Sequence, residues 1–529
     1  MKKQLGRLAA LLCLCLLAAA LPAAHSALAE GGKSKSITRK CQFVVSEGSK
    51  RKLTDGNVRS CWEYSKREAY VGVHIPNDRE AGWLRIEWMF DPTGFELIEY
   101  DAGREVLRIR NQDDTFPNIY TVFDLLPETK YIQLLMTAMG QQICTVAVYS
   151  SGTPPEGLQI WQPPVQKADL MVVSAHQDDE LIFLGGTIPY YAVAFQRPTV
   201  VMYMANCTRY RRAEALNALW KMGVRNYPQF LNLPDGHSKT MEAGLKKWGG
   251  KDHLLELVAE QIRRYQPEVI VTQDLNGEYG HDQHKLTAYA MMPAIEAAAD
   301  PNQYPESALR YGAWQVKKLY HHLYNKHRIK MDWNTKLAGL GGKSALRMAR
   351  IGMQEQASQL KYYNVKKGGK YDNAKFGLFF STVGEDVAKN DFLEHTDGAI
   401  TAEEIAAGVG DPDYDEEDDE DSNWEDALTP EMTDSEETDP GQVMPEESDA
   451  EEEAMDDPDA EAPTQAEQAG LEAQTPVPTA EPQTASERSG APGVGVVLGI
   501  VAGVGAVGTA GWLLYRRSSQ KRRRHRRRR

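Results

Sequence analysis

The chain has 529 residues, 60 Lys+Arg against 75 Asp+Glu, a net charge of −15 and six cysteines. That length exceeds what one hydrophobic core usually spans, so more than one domain is expected. Residues 30–400 hold 46 Lys+Arg and 43 Asp+Glu, so the folded part is near neutral and the acidic total excludes no class of substrate.

In chain order, residues 1–29 place Lys2, Lys3 and Arg7 before a Leu/Ala/Cys-rich run ending at Ala27-Leu28-Ala29. This is the pattern of a secretory signal peptide. Its removal takes Cys13 and Cys15 and leaves Cys41, Cys61, Cys144 and Cys207 in an exported chain, where disulfides are permitted. Four cysteines allow three connectivities. Cys41 with Cys61 is the favoured pair, since both lie in the first domain, and Cys207 reads as a packed thiol. Residues 30–153 hold short alternating or aromatic-rich runs, among them Ala69–Ile75, Trp83–Trp88 and Ile143–Tyr149. Gly, Asp, Asn and Pro punctuate them at the spacing of a β-sandwich. Trp62, Trp83 and Trp88 read as core.

Pro154-Pro155 and Pro163-Pro164 flank a linker. From 165 to 400, strands are expected at 169–175, 199–206, 228–232, 268–274 and 315–323. Helices are expected near 210–222, 251–265 and 284–298. The alternation predicts a Rossmann-like, mostly parallel sheet. No Gly-x-Gly-x-x-Gly follows any of these strands, which removes support for dinucleotide binding. Residues 325–375, rich in Lys, Gly and Tyr, read as a substrate-covering insertion of unassigned structure.

Two strand ends carry the chemistry. Ala175-His176-Gln177-Asp178-Asp179-Glu180 leaves the apolar run Leu170–Val173, and Gly280-His281-Asp282-Gln283-His284 follows Val269–Val271. Alone, the first reads as a solvated acidic loop and the second as a helix N-terminus with one histidine packed and one exposed. Together they place imidazoles and carboxylates where α/β sheets bind ligands. Such donors suit one Zn²⁺ per domain, with three protein ligands and a fourth position open. The assignment is His176, Asp179 and His284 as ligands. Asp178, left over beside them, is the base that deprotonates the attacking water. Tyr279 or a protonated His281 is the oxyanion donor, and His281 or protonated Asp178 supplies the leaving amine's proton.

At these residues, segment 167–395 resembles the PIG-L/LmbE family of zinc-dependent de-N-acetylases. The family's Ala-His-Pro-Asp-Asp-Glu stands here as Ala-His-Gln-Asp-Asp-Glu, and its Tyr-Gly-His-x-x-His matches Tyr279–His284. Weaker echoes are Arg211-Arg212-Ala213-Glu214, Leu233-Pro234-Asp235-Gly236 and Gly377–Gly384. Gln177 replaces a proline, and Gln283 stands where the family often has an aspartate that orients the first histidine of the motif. The resemblance implies hydrolysis of an N-acetylglucosamine-type acetamide, with His281 as donor to the leaving amine. Residues 37–152, through Lys52–Asn57, Cys61-Trp62 and Val146–Tyr149, are similar to discoidin-like (galactose-binding-like) jelly rolls. That likeness implies either glycan binding or a spacer without a ligand.

Residues 403–487 contain 32 acidic residues and no Lys or Arg, so segment 402–490 is expected to be a disordered acidic stalk. Residues 493–515 carry no charge and are long enough to span a bilayer. Ten Lys/Arg follow in the tail 516–529, which the positive-inside rule puts in the cytoplasm and the bulk of the chain outside. Its position after a span favours anionic lipid over nucleic acid as the tail's partner. The expectation is a membrane-anchored, extracellular zinc de-N-acetylase acting on an N-acetylated glycan or glycoconjugate. The alternative is a surface carbohydrate-binding or adhesion protein with a non-catalytic metal site.

Overall fold

The computed structural model describes residues 32–410 apart from 58, 59 and 207. The signal peptide, most of the acidic stalk, the apolar span, the basic tail and Cys207 lie outside the described residues. Among those described, no helix is long and apolar enough to cross a membrane.

Eight antiparallel strands come first: β1 (Gln42–Val45), β2 (Tyr70–His74), β3 (Ala81–Trp88), β4 (Phe95–Tyr100), β5 (Val106–Asn111), β6 (Tyr120–Asp124), β7 (Tyr131–Met136) and β8 (Ile143–Ser150). They form a five-stranded sheet, β1-β2-β7-β4-β5, and a three-stranded sheet, β6-β3-β8. The order 2-7-4-5 with 6-3-8 is the double Greek key of a jelly roll. Period-2 burial along β4 turns Phe95 and Leu97 inward, where they join Trp62, Trp88 and Phe123 in one core. Trp62, Trp83 and Trp88 are all buried, as core residues rather than sugar platforms.

The expected Cys41–Cys61 disulfide is wrong: Cys61 pairs with Cys144, 83 residues away, and Cys41 is free. The reason is strand pairing. Trp62 and Ile143 exchange both backbone hydrogen bonds, at 2.6 and 3.1 Å, which sets the neighbouring cysteines side by side. Closeness along the chain did not matter.

The second domain runs β9 (Leu170–Ser174), α1 (Asp179–Ile182), β10 (Thr199–Asn206), α2 (Arg209–Met222), β11 (Gln229–Pro234), α3 (Met241–Lys247), α4 (Lys251–Tyr265), β12 (Val269–Thr272), α5 (Asp282–Ala299), α6 (Pro305–Tyr311), β13 (Lys318–His322), β14 (Arg328–Lys330), α7 (Ala345–Met353), β15 (Lys375–Ser381) and α8 (Ala402–Gly408). The sheet order is β11-β10-β9-β12-β13-β15-β14. The first five of these strands are parallel, and β15 and β14 join antiparallel at one edge. Strand β9 is fully buried, as a strand covered on both faces must be. Its Leu170 and Val172 face one core with α2 and α7, and its Met171 and Val173 face the other with α4 and α5.

The chain builds outward from β9 to β11, then crosses back to lay β12 on the other side of β9. The ends of β9 and β12 therefore flank the point where strand order reverses, the crevice in which such sheets bind ligands. Residues 325–375 prove to be largely structural: β14 extends the sheet, and Trp333, Leu346 and Met353 are core. The folded unit also runs past the compositional change at 402. Helix α8 is capped by Thr401 and Glu404, and Glu404 pairs with Arg197 at 2.6 Å.

Candidate active site

After β9 the backbone turns sharply. Asp178 adopts φ 137°, ψ −28°, a region that L-residues with a Cβ avoid and that persists only where surrounding contacts enforce it. Those contacts are on both sides. The Asp178 amide donates to Glu180 Oε2 at 2.9 Å, and Arg211 of α2 pairs with Asp178 Oδ1 at 3.0 Å while donating to the Gln177 carbonyl at 2.8 Å. Burial raises the Asp178 pKa to about 7, against the pull of Arg211.

The second loop, Gln273–His281, leaves β12 and enters α5. Its left-handed Tyr279 (φ 48°) is held by a hydrogen bond from the Tyr279 amide to Tyr371 Oη at 3.0 Å. His281 caps α5, its Nδ1 accepting the Gln283 amide at 3.2 Å.

The hydrogen bonds fix the state of each ring. Glu278 is buried, and although burial opposes ionisation, hydrogen bonds from His284 and His322 hold its carboxyl well below the usual range. It accepts from His284 Nδ1 at 2.8 Å and from His322 Nδ1 at 2.7 Å. His284 Nδ1 therefore bears the proton and Nε2 a lone pair. That Nε2 is buried without a hydrogen-bond partner and lies 3.4 Å from Asp179 Oδ2.

His176 is fixed in the opposite sense. The Gln283 amide nitrogen donates to the carbonyls of Pro234 and Gly236, which turns Oε1 toward His176 Nε2 at 2.6 Å. Asp235 Oδ1, another acceptor, lies 3.5 Å from the same nitrogen. Nε2 is thus the donor, and the lone pair on Nδ1 faces Asp179 Oδ2 at 3.2 Å.

His176 Nδ1 and His284 Nε2 thus both turn a lone pair toward Asp179 Oδ2, which also accepts the His176 backbone amide at 2.8 Å, in a buried site. A cation between them would offset the crowding of acceptors. Zinc–ligand arms of about 2.0–2.2 Å give ligand–ligand edges of roughly 3.3–3.6 Å in a tetrahedron, close to the 3.2 and 3.4 Å found here. The donor set fits a divalent metal. His281 also brings a nitrogen into this cluster, within 4.8 Å of those of His176 and His284. Its Nδ1, however, is committed to the Gln283 amide, so its proton sits on Nε2 and the ring is neutral. Burial, with His176, His284 and His237 around it, pushes its pKa well down. A protonated His281, one of the sequence-based options, is at odds with this geometry.

Sequence reasoning missed the residues that hold these groups. The Gln283 side chain orients His176, 107 positions away, while its backbone amide holds the neighbouring His281. Arg211 stood in a noted motif without a role, and Glu278 sits one residue before Tyr279. Tyr279 itself is 37% exposed, with its ring centroid 5.3 Å from that of His284 and 5.6 Å from that of His281.

The buried donor set at the switch point of this doubly wound domain can hold a metal ion. Residues 171–295 match the model of the PIG-L family, described as GlcNAc-PI de-N-acetylase. A 1D-myo-inositol 2-acetamido-2-deoxy-alpha-D-glucopyranoside deacetylase of Geodermatophilus obscurus is 30% identical over 183 residues, 28% of this chain and 60% of that protein. The chain thus spans less than two thirds of this relative. An N,N'-diacetylchitobiose deacetylase from Pyrococcus horikoshii aligns with 37% of this chain and 74% of its own, at 18% identity and a TM-score of 0.29. For the β-sandwich, the family 32 CBM from C. perfringens NanJ, solved with galactose, aligns with 22% of this chain and 99% of its own at 12% identity and a TM-score of 0.19.

Proposed function

We propose that the protein is a metal-dependent de-N-acetylase that hydrolyses the acetamide of an N-acetylglucosamine-type glycan or glycoconjugate, with zinc as the metal. The observation that carries this reading is the buried convergence of His176 Nδ1, Asp179 Oδ2 and His284 Nε2 beside a strained, unused carboxylate, Asp178. The family match over 171–295 and the acetamido sugar in the relative's name support the substrate class. A metal held by His176, Asp179 and His284 would supply Lewis-acid activation of water and polarisation of the carbonyl.

The remaining work falls to side chains. Asp178 takes a proton from the attacking water, its Oδ1 anchored by Arg211 and its Oδ2 left to accept. The water oxygen adds to the acetamide carbon. His281 Nε2–H and Tyr279 are placed to donate to the oxyanion. When the C–N bond breaks, the amine needs a proton, and Asp178 returns the one it took, since a neutral His281 has none to spare. The products are acetate and a free amino sugar.

A metal site that only braced an adhesion module would need neither the strain at Asp178 nor its arginine partner. Asp178→Asn is therefore expected to retain one equivalent of metal and lose acetate release by about 10²–10⁴-fold. Full activity in that variant would refute the base assignment. An extracellular, membrane-anchored location is part of the same proposal, supported by the leader-like residues 1–29, the uncharged residues 493–515 and the ten Lys/Arg after them. Protease added to intact cells should release the catalytic domain and leave the tail behind.

A further inference from the structure

Beside the ligand set lies a second cluster that the reaction does not use as such. His237, on the loop after β11, stacks near His281 with ring centroids 4.1 Å apart. Asp282, the first residue of α5, lies between them, with Oδ1 3.2 Å from His237 Nδ1 and 3.6 Å from His281 Nδ1. A donor atom from each of the three falls within 4.8 Å of the others.

The carboxylate is the telling group. Asp282 is only 6% exposed. Its Oδ2 accepts the Ser238 amide at 3.0 Å, but its Oδ1 is buried and accepts no hydrogen bond. A buried carboxylate oxygen without a donor is costly, and this one is aimed at two imidazoles. His237 has 59% of its side chain exposed, so the cluster opens to solvent on one side.

We propose that His237, His281 and Asp282 form a second divalent-cation site at the mouth of the cleft, with two-nitrogen, one-oxygen donors that suit zinc. Its occupancy removes the hydrogen bond that orients the His281 ring, so that Nε2–H no longer points where the reaction needs it. Coordination through His281 Nδ1 replaces the hydrogen bond from the Gln283 amide, and the site is half open, so it fills after the enclosed one. The enzyme is then active with one metal and inhibited by excess. The inhibition rests on the deacetylase reading; the second site does not.

The test uses the full-length protein, stripped with chelator and titrated with Zn²⁺ against a chromophoric competitor. Acetate release from an N-acetylhexosamine substrate is followed in parallel. Two classes of site are expected, the weaker one filling as activity falls. His237→Ala, at an exposed position, should keep the first equivalent and the activity that goes with it, lose the second and resist excess Zn²⁺. Asp282→Asn, which retains an acceptor for Ser238, should lose the second equivalent as well. A wild type that binds one equivalent at every concentration, or a His237→Ala protein that still binds two, overturns the proposal. Two equivalents with no acetate release at any loading would instead sink the deacetylase reading and leave the second site standing.

Discussion

His176 and His284, two of the proposed ligands, show how much of such a site lies outside the ligands themselves. Each ring is locked into one tautomer by an acceptor on its far nitrogen, Gln283 for His176 and Glu278 for His284, so that the near nitrogen offers a lone pair. Losing such a partner typically costs 10–100-fold in metal affinity. Glu278→Gln should therefore weaken metal binding by roughly that factor, because an amide cannot accept from both His284 and His322 in the way a carboxylate does. Chelator competition measures it, and an unchanged affinity would mean the orientation of His284 is fixed by packing alone. Gln283→Ala should act alike through His176. The ligand candidates were legible because each follows an apolar strand within a few residues. Gln283 was not, since what it orients is remote in sequence, and a motif placed it next to the wrong histidine.

At the scale of elements, the sequence reading found all five parallel strands, most plainly the central Leu170–Val173 and Val269–Val271, which are continuous apolar runs because they are buried on both faces. It did not find that β15 returns antiparallel, nor that α7 packs on the face shared with α2; both depend on where distant segments meet. The same blindness produced the Cys41–Cys61 error. Helix α2 carries a further consequence. Its first turn holds Arg209, which pairs with Glu87 of β3 at 3.2 Å and donates to the Trp88 carbonyl at 3.1 Å, and Arg211, which grips Asp178. One turn of helix thus ties the β-sandwich to the proposed base. Arg211→Met should lower kcat by about 10²-fold with little change in KM, since misplacing a reacting group by an ångström costs about that much. Steady-state kinetics would separate the two parameters, and a purely KM effect would make Arg211 a substrate contact instead. Glu87→Ala removes a buried carboxylate that pairs with both Arg85 and Arg209 and should destabilise the fold by about 3–5 kcal/mol, read as a lowered denaturant midpoint.

Across the whole described molecule, the two domains share more than a linker. Tyr227 of the α/β domain donates to Asp91 Oδ1 at 3.1 Å and accepts the Ile119 amide at 3.2 Å. Ile119 and Tyr120 of the sandwich belong to the same apolar cluster as α2 and α7. A junction built that way should unfold as one cooperative unit, which gives the Cys61–Cys144 bridge reach beyond its own domain. Closing a loop over a separation of 83 residues removes unfolded-state entropy worth about 4–5 kcal/mol in the chain-entropy model, with about 2–4 more typical in practice. Reducing agent, or a Cys61→Ser/Cys144→Ser double variant, should therefore lower the single calorimetric transition of the whole unit. Acetate release should fall at the same temperature as the sandwich melts, because α2 loses the Arg209–Glu87 pair and the Arg212–Asp91 pair, 3.5 Å apart, when β3 and the loop after it come apart. If the sandwich were an independent module, reduction would split the transition in two, and activity would persist until the second. Two transitions with activity following the higher one would rule out the coupling through α2, while leaving the metal site and its chemistry untouched.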